Sequence, residues 1–389
     1  MQEYIIAYNN TWIHFFIKPH VGLCYRKKNN LKFEDYKIIE PGASADFCVY
    51  SDGNTIHVIC QDEKGSVLYL FFDGDSWKRT VLLKSRTALS YKKHFVIVEI
   101  SGYISVLYTI ENKEKLMLIH QLLIGNAEPT VIDYIKYDSV PFCVYKHHET
   151  DFSLFYTNEE GSVCEIIYKW SQKQFQKPYI YTHLQNIKFA QEKDGIIFLA
   201  AVERDDKTAN LVYLTKKLSG EESHSLVYPN CNKDIIPIIS TYGEKQYMAW
   251  TEYGNVISSW REPDGSWSKP IQYAKSSKNE TKLYAICREG KYEHYYGIAR
   301  EHDFILYGTH DVLKTPPKSQ SKYTNISSSD LNDNENLIIS HGKQIKQLCN
   351  ELSIQRKKLS ELSAKLESLL SDMPIADEDV IDNVLLKSE

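Results

Sequence analysis

No stretch of this sequence approaches the roughly 18–20 consecutive apolar residues that a membrane-spanning helix needs. The opening segment, MQEYIIAYNN, lacks the basic start and long apolar run of a secretory leader, so none is expected. Glycine (17 residues) and proline (12) are too sparse for a collagen-like or low-complexity chain. An excess of one charge is missing too. The 46 basic and 51 acidic residues leave a net charge of -5, with no general attraction for nucleic-acid phosphates. The cysteines, at 24, 48, 60, 143, 164, 231, 287 and 349, form no CxxC pair. Most lie in apolar runs such as FCVY (47–50) and HVIC (57–60), where cysteine behaves as a small buried hydrophobe. Reduced, buried thiols are expected rather than disulfides or a metal site. Phosphate-loop, GxGxxG, HExxH, GxSxG and EF-hand patterns are all absent. These absences point to a cytoplasmic globular protein with no cofactor, no metal, no nucleic-acid partner and no membrane span.

Aromatic residues, by contrast, are abundant: 28 Tyr, 14 Phe and 6 Trp. Broad flat side chains suit a pleated surface, so the composition favours strands. Residues 45–83 set the pattern: ADFCVY, turn SDGN, TIHVICQ, turn DEKG, SVLYLFF, turn DGDS, WKRTVLL. Four short strands in about 40 residues, parted by Gly/Asp turns, make one propeller blade. The same grammar recurs over 3–39, 87–124, 130–182, 186–228, 234–273 and 282–313. Anchoring on the second strand selects Ile13, Ile56, Phe95, Phe142, Ile197, Tyr247 and Tyr295, a period of roughly 40–55 residues. The expected fold is therefore all-β: a seven-bladed β-propeller of four-stranded antiparallel blades over 1–313. The weaker first and last repeats leave six or eight open. The last repeat lacks a full fourth strand, so closure by a strand from the other terminus is expected, which removes exposed edges.

Two outer-strand turns carry a further signal: Asp73, Gly74, Ser76 and Trp77 in one, Asp264, Gly265, Ser266 and Trp267 in the other. They resemble the Asp boxes of sialidase-type and related lectin propellers, although neither completes Ser/Thr-x-Asp-x-Gly-x-Thr-Trp. The resemblance implies the fold and no activity. A sialidase would need three converging arginines, and no Arg-Ile-Pro-like motif opens the first repeat.

After residue 313 the pattern changes. Residues 314–334 are rich in Pro, Ser and Asn and read as a flexible linker. Over 335–372 the apolar period becomes 3.5, with Ile338, Ile345, Leu352, Leu359 and Leu366 at a, and His341, Leu348, Gln355, Leu362 and Leu369 at d. This predicts a long C-terminal α-helix forming a coiled coil, hence a homo-oligomer, with a dimer favoured and a trimer open. Pro374 stops the helix, and 373–389 form an acidic flexible tail.

Candidate chemistry is thin. His147, His148, Glu149 and Asp151 are the densest metal-like cluster, but adjacent residues on an extended chain point to opposite faces, so a solvated loop is expected. His294 and His302 read as surface or edge residues. The leading reading is a non-enzymatic interaction scaffold that holds a protein partner of unknown identity on a propeller face. Tyr91, Tyr137, Tyr242 and Tyr253 are the candidate binding-face aromatics. The alternative is a carbohydrate-binding, lectin-like propeller with Trp77, Trp170, Trp260 or Trp267 stacked on sugar. A two-carboxylate glycoside hydrolase comes after both.

Overall fold

A computed structural model describes residues 2–29, 32–86, 91–112, 115–123, 128–147, 150–181, 184–204, 208–217, 220–242, 245–275, 281–300 and 303–307. The coiled-coil helix expected over 335–372, with its linker and tail, lies outside the described residues, as do His148, Glu149 and His302. Every regular element described is a strand, and no described helix is long and apolar enough to cross a membrane.

The strands follow in units along the chain. The first holds β1 (Gln2–Tyr8), β2 (Thr11–Lys18), β3 (Gly22–Asn29), β4 (Lys32–Phe33) and β5 (Lys37–Pro41). The second holds β6 (Ala43–Ser51), β7 (Ile56–Asp62), β8 (Val67–Phe72) and β9 (Trp77–Leu83). The third holds β10 (Phe95–Ile100), β11 (Tyr103–Asn112), β12 (Lys115–Leu122) and β13 (Thr130–Ile135). The fourth holds β14 (Phe142–Lys146), β15 (Asp151–Thr157), β16 (Val163–Lys169), β17 (Gln174–Phe175) and β18 (Tyr179–Tyr181). The fifth holds β19 (Ile187–Lys193), β20 (Ile196–Arg204), β21 (Ala209–Lys217) and β22 (Glu222–Tyr228). The sixth holds β23 (Ile238–Tyr242), β24 (Lys245–Glu252), β25 (Asn255–Trp260) and β26 (Ile271–Lys275). The seventh holds β27 (Lys282–Arg288), β28 (Lys291–Ala299) and β29 (Phe304–Leu306).

Units two, three, five and six are four-stranded antiparallel sheets, and unit four has five strands. Units one and seven share one eight-stranded sheet, because β1 pairs in parallel with β27 from Gln2↔Leu283 to Ile6↔Cys287. Chain closure therefore joins two first strands, rather than lending a strand to an outer edge as the sequence suggests. The shared sheet folds on itself at this pair. Phe33 on β4 meets Phe304 on β29 at 5.1 Å, over a buried layer of Ile5, Trp12, Tyr284 and Ile286.

Burial grades outward within a unit. β7 is buried almost throughout, whereas β9 (WKRTVLL) is mostly exposed. Both faces of the inner strands are covered by neighbouring units, which explains apolar runs such as IIFLAAV on β20. The turns are made by side chains. Asp62 Oδ1 accepts the N–H groups of Lys64 and Ser66 at 3.0 and 2.8 Å, the local hydrogen bonding that makes Asp a turn former.

This grading corrects the strand assignment in two repeats. TVIDYI (130–135) is the exposed fourth strand β13, not a first strand, and KLMLIHQL is the third strand β12. The anchors Phe95 and Phe142 consequently stand on first strands, β10 and β14. An alternating segment bounded by polar turns does not state its place within a sheet; only its neighbours do.

All seven described cysteines are buried and unpaired. Trp77 and Trp267 each lean from their Asp-Gly turn onto the preceding unit. Trp77 lies 6.4 Å from Phe15 and 6.2 Å from Tyr25, and Trp267 lies 5.0 Å from Tyr213 and donates Nε1–H to Ser225 Oγ at 3.2 Å. Asp73 accepts N–H groups of its turn and the Lys78 ammonium, which hold its carboxyl down at about 2. These turns tie units together.

Candidate functional site

Cross-unit bonds show which loops share an end of the sheets. A linker between units meets a turn that joins second to third strands where Lys136 N–H donates to Thr157 O at 2.9 Å, and two such turns of neighbouring units meet where Lys115 pairs with Glu159 at 3.0 Å. First-strand ends meet at the opposite side, where Lys146 pairs with Glu99 at 2.8 Å and Gly290 N–H donates to Ser51 O at 3.0 Å.

This geometry separates the candidate tyrosines. Tyr91 and Tyr137 lie on linkers and Tyr253 on a second-to-third turn, all at the linker end, whereas Tyr242 closes β23 at the other. Tyr253 is 87% exposed at φ 48°, and Tyr91 is held through its carbonyl, which accepts from Gln61 Nε2 at 2.9 Å. They stand in different units and do not make one site. Tyr137, 56% exposed, borders a cleft.

The cleft, of about 850 Å³, opens at the linker end where unit four meets its neighbours. Its size lies in the range of small-ligand pockets. Three chain segments build it. The linker after β13 supplies Lys136, Tyr137 and Asp138; the β15–β16 turn supplies Gly161 and Ser162; the segment from β18 to β19 supplies Tyr181, Gln185 and Asn186. Asn158 locks the turn by accepting Ser162 N–H on Oδ1 at 2.9 Å. Gly161 takes φ 92°, and a Cβ there would come within 2.9 Å of Lys136 Nζ, so a larger residue would strain the turn and crowd that ammonium. Gln185 is fixed by accepting Arg204 N–H at 2.9 Å, and Asn186 by donating to Val202 O at 3.2 Å.

Two carboxylates give the region its electrostatics. Asp138 pairs with Lys188 of β19, whose ammonium-bearing side chain is 0% exposed. Burial works to raise the Asp138 carboxyl, but Lys188 and the Ser139 N–H and hydroxyl outweigh it and hold the group below its ordinary 3.8. Beneath the cleft, Glu165 accepts from Tyr145 at 2.8 Å, Tyr181 at 2.5 Å and Lys216 at 2.8 Å. Burial again opposes ionisation of Glu165, and the Lys216 and Tyr181 bonds prevail. A half-open cleft with an aromatic rim, two side-chain amides and an ionised carboxylate can hold a polar ligand in one orientation.

The other sequence candidates lie elsewhere. Trp77 and Trp267 are committed to unit packing, Trp170 stacks on Tyr103 at 5.0 Å, and Trp260 donates to Glu262 at 2.7 Å. His147 is half-buried rather than solvated and bonds Ser153 Oγ at 2.6 Å. His294 is no surface residue either. It packs edge-on to Phe189 at 5.5 Å, and burial pushes its imidazole down to about 4. Among the described residues no group of His, Cys, Asp or Glu is arranged to hold a metal. Asp138 and Lys188 were not singled out in the sequence. The available signal was a lysine inside the apolar first strand of the fifth repeat, NIKFAQ, a position where a charge needs a partner.

No protein-family model and no curated protein matches the sequence. Solved structures do. The BP39L lectin from Burkholderia pseudomallei matches with a TM-score of 0.53 at 10% identity, covering 78% of this chain and 95% of that one. The Aleuria aurantia lectin, described as a six-bladed β-propeller with a novel fucose recognition mode, gives a TM-score of 0.44 at 9% identity, over 82% and 96% of the two chains. The fold is that of β-propeller lectins. At these identities the likeness is one of fold, and the propeller's own residues must carry any account of function.

Proposed function

We propose that the protein is a non-enzymatic carbohydrate-binding propeller, with the saccharide seated in the cleft at the linker end of unit four. The carrying observation is the juxtaposition of the exposed Tyr137 ring with the ionised, anchored Asp138 in one cleft. A phenol ring offers an apolar face to the C–H side of a pyranose, while carboxylate and amide groups satisfy its hydroxyls. Asp138 is the one carboxylate in the described lining, and two-carboxylate hydrolysis needs a second, which supports holding over cleavage. The propeller it resembles most in TM-score among those named above is a lectin, which is compatible with this reading.

The full chain applied to a glycan array should show saturable binding that Tyr137→Ala weakens about tenfold without changing the melting temperature. Absence of binding to every saccharide would return the protein to the scaffold reading. The blade count we propose is seven, with the first and last joined through β1 and β27. We also retain the coiled coil over 335–372 as a device that displays several propellers together, since linked weak sites gain avidity without new contacts. Removing residues 330–389 should give a monomer mass by light scattering, and an unchanged mass overturns that part.

A further inference from the structure

Asp138 is bonded unevenly. Its Oδ1 receives the Lys188 ammonium, the Ser139 N–H and the Ser139 hydroxyl, while among the described residues no donor reaches Oδ2. A carboxylate oxygen carries two lone pairs and, when ionised, only accepts. Lys188 is itself anchored by Ser139 Oγ at 3.1 Å and has no exposed surface, so it cannot turn toward a ligand. The arrangement costs desolvation of two charges and yields one fixed acceptor in an otherwise accessible cleft.

We propose that Asp138 is the specificity-determining group of the cleft, accepting a hydroxyl hydrogen of a saccharide on Oδ2, and that Lys188 is its positioning residue. This rests on the carbohydrate-binding reading of the same cleft. The ligand class is narrowed to sugars with a free hydroxyl donor beside the face that stacks on Tyr137; a sugar deoxygenated or O-methylated at that hydroxyl should be refused. A protonated Asp138 would need part of its capacity to donate, so recognition requires the ionised form. The charged and titratable groups around it are Lys136 on its own linker, Lys188 on β19, Tyr181 on β18, Arg204 at the end of β20 and Cys143 on β14, with Glu165 of β16 beneath the lining, held ionised by Lys216 and Tyr181. Burial pushes the Cys143 thiol up to about 12, so at acid pH Asp138 is the lining group that changes charge.

The test takes the strongest monosaccharide from the array and its singly deoxygenated and O-methylated series, with full-length wild type, Asp138→Asn and Lys188→Met. Loss of a hydrogen bond to a charged acceptor should weaken binding about tenfold to a hundredfold in Asp138→Asn. One member of the deoxy series should show the same loss in wild type and no further loss in Asp138→Asn. In Lys188→Met the acid limb of the binding profile should move up in pH, because the carboxylate loses the cation that keeps it ionised; a merely structural lysine would lower affinity without moving the limb. Melting curves on both variants establish that each is folded before its binding is read. Wild-type affinity in Asp138→Asn, or an unmoved acid limb in a folded Lys188→Met, overturns the proposal while leaving carbohydrate binding intact. No saccharide binding by wild type overturns both.

Discussion

The seam between units one and seven and the cleft at unit four use the same chemistry to different ends. Each is crossed by a lysine–carboxylate pair with one buried partner, the half-buried Lys282 with the buried Glu3 at 2.6 Å in one and the buried Lys188 with Asp138 in the other. At the closing seam every carboxylate oxygen is engaged: Glu3 Oε1 takes Lys282 and Oε2 takes His14 at 2.7 Å, while Arg26 bonds the far imidazole nitrogen at 3.1 Å. Aromatic rings then close over it, with Phe304 and Phe16 at 4.7 and 4.8 Å from His14. At the cleft, among the described residues, no donor reaches Asp138 Oδ2, and the adjacent Tyr137 is 56% exposed. A saturated pair holds the chain together; an unsaturated one under an open rim is equipped to take a ligand.

The sharpest way to break this comparison is Glu3→Ala. It takes the counter-charge from Lys282 and the hydrogen-bond partner from the buried His14 in the seam that joins the two ends of the propeller, and breaking a buried pair of this kind costs about 3–5 kcal/mol. Urea titration should show the loss, and a change under about 1 kcal/mol would mean the seam is not closed by charge.

Acid separates the fold from the cleft. Burial pushes His57, His94, His120 and His294 down to about 4, so between the usual 6.5 and about 4 the unfolded chain binds protons the folded one refuses. Stability therefore falls as pH drops through that window, by at most about 1.4 kcal/mol per pH unit for each imidazole. Asp138 stays ionised until below 3.8, so saccharide binding should survive in whatever remains folded at pH 5. Thermal melts and binding isotherms at pH 7 and pH 5 check both halves; a parallel loss of affinity at pH 5 would tie the cleft to an imidazole.

Smaller effects sharpen the cleft itself. Tyr137→Ala should weaken saccharide binding about tenfold with an unchanged melting temperature, as for an anchoring aromatic at a binding site. Tyr253→Ser, on a ring more exposed but outside this cleft, should alter stability by less than about 0.5 kcal/mol and leave binding untouched. Equal losses in the two variants would argue for a general aromatic surface instead of one site.

Much of the fold was legible. Period-two alternation, Gly/Asp turns and the spacing of whole repeats are local properties, so strand content and the order of units could be read directly. The third and fourth repeats were framed one strand off because TVIDYI alternates as well as any inner strand; its exposure follows from having no unit beyond it. For the site, Tyr137 could be picked out as an aromatic in a linker. Asp138 could not, because its meaning comes from a lysine 50 residues later.

The sequence by itself determined that this chain makes short aromatic strands in repeated four-strand units, since that information is carried by nearest neighbours and turn chemistry. Only the tertiary structure decided which strands lie inside, that β1 and β27 close the ends in parallel, and that a buried lysine takes Asp138 Oδ1 while no donor among the described residues reaches Oδ2. Those outcomes depend on packing between segments far apart in the chain, where burial sets the cost of every unpaired charge.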